Sequence, residues 1–292
     1  MGDLIQFMMT GLTIGSIYAI VALGFVTIYS VTKIINLAQG EFVMLGGMIM
    51  ITFVGMGVPY VISFVLTLII VTIIGWLLEF IVFRRVKDAD PISLIILTIG
   101  IAILIRGLAS MSWGKGSFRL EAFTSHAPLK IFNATINYQS VWVMCIMLAV
   151  VVFLYIMLEK TILGKAFRGT SDNPVAARLM GISPVKMATL AFMLSGGLGA
   201  LAGVAIAPIM FPSYDVGIML GIKGFSAAIF GGLGSAPGAV IGGLVIGLVE
   251  SLGGGYISSG LKDAITFTFV LLLLLIRPSG ILGEKSVGKG GL

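Results

Sequence analysis

Taken by its reactive side chains, the chain has almost nothing with which to make or break a covalent bond. One histidine, His126, and one cysteine, Cys145, cannot build a zinc site, and no His-Glu-x-x-His occurs. The phosphate-cradling pattern Gly-x-x-x-x-Gly-Lys-Ser/Thr is missing too, since Gly164-Lys165 is followed by Ala166 and has no glycine-rich lead-in. No catalytic residue, metal ligand or cofactor is therefore expected in this chain. What remains is a handful of polar groups set in apolar surroundings, of which Asn36, Gln39 and Glu41 are the foremost. Ionisable groups in a bilayer are expensive and by default functional. Asn36 and Gln39, three apart, would share one helix face and could line or gate a passage for a polar solute, whereas Glu41 points elsewhere. The plainer alternative puts Glu41 at the interface, solvated or paired with Lys33. Arg106 and Lys223 are expected to snorkel toward water. Glu250 is expected to pair with a base on another helix, and Glu79 with Arg84.

The elements that must hold these groups are membrane helices. Of 292 residues, 58% are hydrophobic and 10% charged, with a mean hydropathy of +1.15, while a soluble domain carries about 25% charged residues. Apolar runs lie near 7–29, 34–54, 59–83, 92–112, 139–158, 185–207, 222–233, 237–252 and 262–276. The first reads as a retained span: Asp3 stands where a secretory signal carries positive charge. Runs 222–233 and 237–252 are short and interrupted by Gly-Gly, Gly-Ser and Pro237, which reads as broken or re-entrant helix, tolerated where protein or a water-filled cavity covers it. The expected fold class is all-α: a polytopic membrane protein of about eight or nine transmembrane helices, one or more of them broken or re-entrant, in a single domain over 1–292. Forty glycines suit closely packed membrane helices.

Orientation follows from the basic residues in short loops. Lys33, the cluster Arg84, Arg85 and Lys87, the five from Lys160 to Lys186, and Arg277, Lys285 and Lys289 all fall on one side if nine segments cross. That side is expected to be cytoplasmic, with the N-terminus outside and the C-terminus inside. The net charge of +6 is then explained without nucleic acid. The opposite face carries the long loop 113–138, flanked by Trp113, Tyr138 and Trp142 at positions suited to an interfacial belt.

One sizeable polar interval interrupts the second half, from Gly164 to Pro184. Asn173 and Pro174 form a cap and a first helical residue. Val175 to Met180 give less than two turns, and Gly181 supplies a left-handed stop. Ser183-Pro184 then repeats the start signal. A merely connecting loop has no need of two capping signals, so the short helix within 172–181 reads as a knob for a cytoplasmic partner, although an incidental loop helix stays open on these residues alone.

Three motifs bring a family into view. Ala176-Ala177-x-x-x-Gly181 resembles the Ala-Ala-x-x-x-Gly core of the loop that permeases of ABC importers insert into their ATPase subunits, although the glutamate often preceding the alanines is Val175 here. Asn173-Pro174 through Gly181-Ile182 resembles the version in permeases for branched-chain amino acids. So do Asn36-Leu37-Ala38-Gln39-Gly40-Glu41 and the glycine-rich 230–238. The resemblance implies a permease subunit of an ABC importer for branched-chain or related amino acids in the inner membrane of a bacterium. Its implied partners are a second, homologous permease, two cytoplasmic ATPase subunits that bind the ATP, and an external substrate-binding protein. It also implies an ATPase-coupling role for Asp172, Asn173, Pro174, Val175, Ala176, Ala177, Arg178, Leu179 and Gly181. Glycines 196, 197, 199 and 203 would let the helix after the knob approach its neighbours closely. A self-sufficient secondary transporter is the alternative, but that class is expected to place coupling-ion carboxylates in broken helices, and few are present here. No charged cage for an amino acid's two ends is visible in the sequence.

Overall fold

The structure, a computed structural model, describes residues 2–86, 90–124, 128–131 and 134–283. Lys87, His126, Lys285 and Lys289 lie outside the described residues. Among the described residues nine apolar helices are present: α1 (Gly2–Thr32), α2 (Gln39–Gly55), α3 (Tyr60–Ile81), α4 (Pro91–Trp113), α5 (Tyr138–Tyr155), α8 (Pro184–Ile206), α9 (Val216–Gly231), α10 (Ala236–Tyr256) and α11 (Lys262–Ile276). Between α5 and α8 lie α6 (Ile162–Asp172) and α7 (Pro174–Leu179). The loop 113–138 carries a small antiparallel hairpin of β1 (Leu129–Ile131) and β2 (Ala134–Ile136), with Leu129 opposite Ile136. The molecule is an all-α polytopic membrane protein.

Seven of the nine helices are long and apolar enough to cross a membrane, α11 only together with the 3-10 turn Ser259–Leu261 that leads into it. The exceptions are α2, with 17 residues, and α9, with 16. At 1.5 Å per residue these reach about 25 Å, short of a hydrocarbon core of about 30 Å. Each follows a non-helical segment, 33–38 before α2 and 207–215 before α9. The breaks therefore differ from those expected at 222–252. There α10 runs unbroken, with Pro237 near its start and Ser235 capping it by accepting from Gly238 N at 3.2 Å. The glycines at 232 and 234, both at positive φ, make the α9–α10 turn.

The central post is α1, whose residues from Gly15 to Ile28 are all buried. It runs antiparallel to α10 along a seam of small residues: Gly11, Gly15 and Ala19 on one helix meet Gly243 and Gly247 on the other. A Cβ on Gly15 would stand 2.9 Å from the carbonyl oxygen of Gly243, so only glycine lets the backbones approach this closely. Between helices in lipid, packing of this kind substitutes for the hydrophobic effect. The expected close contacts of α8 are present. Gly196 faces the carbonyl of Val71 on α3, Gly197 lies by Thr72, and Gly199 and Gly203 lie against Phe42 and Val43 of α2. By contrast, α3, α4, α5 and α11 present rows of exposed Ile, Leu, Val and Phe to the outside.

Candidate functional site

Past Thr32 the chain turns through Lys33, at φ 57°, and re-enters the protein without helical structure. The Leu37 N–H donates to Thr98 Oγ1 of α4 at 3.2 Å. Asn36 closes a turn: its Oδ1 accepts from Ala38 N at 3.2 Å and its carbonyl from Gln39 N at 3.1 Å. Asn36 and Gln39 consequently share no helix face, contrary to their spacing, because α2 begins only at Gln39. Gln39 is fully buried, its Nε2 donating to the Ser195 carbonyl of α8 at 3.1 Å while Ser195 Oγ donates to its Oε1. A Cβ at position 24 of α1 would collide with this carboxamide, and glycine there makes the room. Gln39 thus wedges the start of α2 between α1 and α8.

Glu41 lies two residues further, 2% exposed. Neither solvent nor Lys33 satisfies it; instead its Oε1 accepts from Arg106 Nη2 of α4 at 2.6 Å. Arg106 stands fifteen residues along α4 and seven before its end, about 10 Å from it, so the pair lies within a membrane-crossing helix, toward its C-terminal end. Its satisfaction is incomplete. Glu41 Oε2, Arg106 Nε and Asn36 Nδ2 are buried with no hydrogen-bond partner among the described residues. Here too α2 and α9 cross, Gly40 packing on the backbone of Gly217 and Gly221.

A second buried charge set joins α1, α9, α10 and α11. Lys223 does not snorkel; it is 5% exposed and donates to Glu250 Oε1 at 2.7 Å. Its Nζ also lies 2.7 Å from Asp263 Oδ1, and the Tyr18 hydroxyl donates to Glu250 Oε2 at 2.8 Å. Nearer the basic clusters, the expected pair of Glu79 and Arg84 forms at 3.3 Å, with Thr189 bonded to both.

The 172–181 knob has the expected caps. Asn173 Oδ1 accepts from Val175 N and Ala176 N, both at 3.0 Å. Gly181 has φ 81°, and the bonds Gly181 N to Arg178 O and Ile182 N to Ala177 O close the helix in a Schellman arrangement. Ala177, however, is buried, whereas Val175, Ala176, Arg178, Leu179 and Met180 are exposed. Ala177 faces its own chain. The sequence reading missed α6, which is amphipathic, buries Phe167 and is capped by Thr161 accepting from Gly164 N at 3.1 Å. Arg168 clamps α6 to Glu159 at 2.9 Å, and Ser171 Oγ donates to the Ser30 carbonyl at the end of α1 at 2.7 Å. A cleft of about 1460 Å³ opens beside α6, with Lys33, Asp172, Ser235 and Arg277 on its walls. Among the described residues no cluster of His, Cys, Asp and Glu could hold a metal.

Comparison with known proteins adds to this geometry. Residues 7–277 match the family described as branched-chain amino acid transport system / permease component. The chain is 31% identical to the high-affinity branched-chain amino acid transport system permease protein LivH of Escherichia coli K12, over 98% of this chain and 97% of that one. It is 29% identical to BraD of Pseudomonas aeruginosa, a permease protein of the same description, over the same shares. The ribose import permease protein RbsC of Haemophilus influenzae is 27% identical over 81% of this chain and 73% of its own.

Proposed function

This chain belongs to the family of branched-chain amino acid transport permeases, and we propose that it forms, with a second homologous permease, the translocation passage of an ATP-driven importer for branched-chain or related amino acids. An external binding protein delivers the solute at the face bearing the 113–138 loop. Two ATPase subunits, which bind the ATP, dock at the opposite, cytoplasmic face on α6 and α7. In this reading the N-terminus is outside, the C-terminus cytoplasmic, and the membrane is the inner membrane of a bacterium. The observation that carries it is the knob: a helix of under two turns, capped at both ends, that leaves Val175, Leu179 and Met180 exposed beyond the membrane helices. Exposed apolar side chains on a rigid projection suit a partner's groove.

The route from knob to passage is short. Met187 and Ala191 of α8 pack on Phe167 of α6, and one turn further Ser195 holds Gln39 at the start of α2. The cleft beside α6 leaves it unsupported on one side, with room to shift when the ATPases close. Such a shift reaches α2 through packed helices with two arrangements. In this reading Asn36 and Gln39 position α2 and act in gating through it, and Glu41 is the group nearest the passage.

The test is Leu179→Glu, which puts charge on the knob without touching the buried Ala177. The expected outcome is at least a tenfold loss of ATPase subunits retained in a pull-down of the permease, with the permease pair intact. Normal retention and normal coupling of hydrolysis to uptake would make α7 an ordinary connector.

A further inference from the structure

We infer that Glu41 and Arg106 together form the site in the membrane that reads both charged ends of a zwitterionic amino acid. This rests on the reading above, that the chain passes amino acids, and goes beyond it by naming the residues that recognise them.

The two side chains form an ion pair through one atom of each, Glu41 Oε1 and Arg106 Nη2. A carboxylate accepts at two oxygens, and a guanidinium offers five N–H donors in a fixed fork. The usual way to complete a buried pair is a bidentate fork, which leaves neither partner open. Here Glu41 Oε2 and Arg106 Nε are both buried and unmatched, so each partner keeps an unused valence of the sign a zwitterion carries reversed. An ammonium fits the free carboxylate oxygen, and a carboxylate fits the free guanidinium edge. A zwitterion arriving between them replaces one internal pair by two, leaving no charge uncompensated. A solute with only one charged end leaves either Glu41 or Arg106 bare at membrane depth, which is expensive.

Position supports the assignment. The Arg106 side chain is 25% exposed, on the outer surface of the chain, with Ile99 and Ile103 exposed and Ser110 half-buried around it at helical spacing. A guanidinium about two turns inside the end of a membrane helix can reach water along its stem but does not face lipid cheaply, so this surface faces water or the second permease. Glu41 lies in the first turn of α2, where Gly40 crosses Gly217 and Gly221, and a Cβ at 217 would come 3.1 Å from Glu41 Oε2. The free oxygen therefore sits at the crossing of the two short helices, and their displacement opens or closes the space before it.

The experiment uses the whole complex, permeases with ATPases and binding protein, in proteoliposomes, with uptake of radiolabelled leucine as readout. E41Q, R106Q and the double variant E41Q/R106Q are compared with E41D/R106K, which keeps both charges. The double variant buries no unpaired charge, so it decides the matter even if a single variant fails to assemble. Expected is at least a tenfold loss of leucine uptake in E41Q/R106Q, with ATP hydrolysis still stimulated by loaded binding protein, and uptake within threefold of the parent in E41D/R106K. Uptake at the parent rate by E41Q/R106Q overturns the inference and leaves the pair a packing device, as does equally low uptake by both double variants. If the parent complex carries no amino acid at all, the transport reading itself fails, a result separate from either.

Discussion

Among the described residues two charge clusters join helices of the membrane span, one around Glu41 and Arg106 and one around Lys223, Glu250 and Asp263, and they are built differently. Around Lys223 and Glu250 the charges are matched: both oxygens of Glu250 are engaged, one by Lys223 and one by Tyr18, and the side chains are 6% and 5% exposed. The helices carrying that set, α1, α9, α10 and α11, are drawn together by a glycine seam. Around Glu41 and Arg106 the matching is partial, and α4 leans on the rest of the protein chiefly through α2. A closed network fixes one arrangement. A pair with free valences on a lightly held helix can exchange partners, as a passage that handles polar solutes requires.

The comparison can be broken most sharply at Glu250. Glu250→Gln leaves Lys223, 6% exposed, with Asp263 alone as its countercharge. Breaking a buried pair from one side costs about 3–5 kcal/mol; with Asp263 still beside Lys223 the lower end is expected, read as a fall in the thermal unfolding midpoint of the purified permease. Lys223→Met with Glu250→Leu removes the buried pair, leaves Asp263 a side chain 38% exposed and able to meet water, and should recover most of that loss, since replacing such a pair with apolar groups is often neutral or stabilising. If the double variant is as unstable as Glu250→Gln, the network does more than neutralise itself.

A smaller effect is expected at the seam of the same region. Gly247→Ala drives a Cβ into the backbone of Gly15 and Gly11, where neither helix can yield without shifting. Overpacking of this sort costs about 1–3 kcal/mol, to be read from the unfolding midpoint. Gly100→Ala on α4, where a Cβ meets nothing within 4 Å, supplies the control and should not destabilise.

The smallest effect belongs to the lightly held helix. Asp90 caps α4, accepting from Ser93 N at 3.1 Å and Ser93 Oγ at 2.6 Å. Those bonds to its charged form lower its pKa below the usual carboxylate value. A depressed folded pKa means the cap is fully present above the ordinary carboxylate range and is lost as pH falls through the lowered value. Asp90→Ala should speed amide exchange at Ser93 and Leu94 at neutral pH without altering assembly; unchanged exchange would show that the cap contributes nothing to the start of α4.

Much of this was legible in the sequence because its signals were local. The nine apolar runs map onto nine helices, Asn173 and Gly181 bound α7, and Ser183 and Pro184 start α8, each through chemistry confined to a few neighbours. The entry to α2 was not legible. Residues 34–54 are apolar almost throughout, so periodicity carries no mark of the point where helix begins, and Asn36 and Gln39 looked like one face. Lys223 read as a snorkelling side chain because its partner, Glu250, is on another helix. The partner of Glu41 was hidden for the same reason, Arg106 lying 65 positions away. The burial of Ala177 was not legible, because small size suits a buried contact with its own chain as well as a docking surface. α6 carried a usable signal, Thr161 before an amphipathic stretch, that was passed over as loop.

The start of α2 also constrains the order in which the protein can be made. Several contacts there are supplied by chain synthesised later: Thr98 for Leu37 N, Arg106 for one oxygen of Glu41, Ser195 for Gln39, and the crossing partner Gly217 for Gly40. A nascent chain that ends before α8 offers Gln39 no Ser195, and one that ends before α9 has no helix for Gly40 to cross. With 17 residues and an unsatisfied, non-helical lead-in, α2 gains little from lateral release into lipid on its own. Its final seat exists only once about three quarters of the chain has emerged, so the segment carrying Gln39 and Glu41 is threaded in late, into a scaffold already standing.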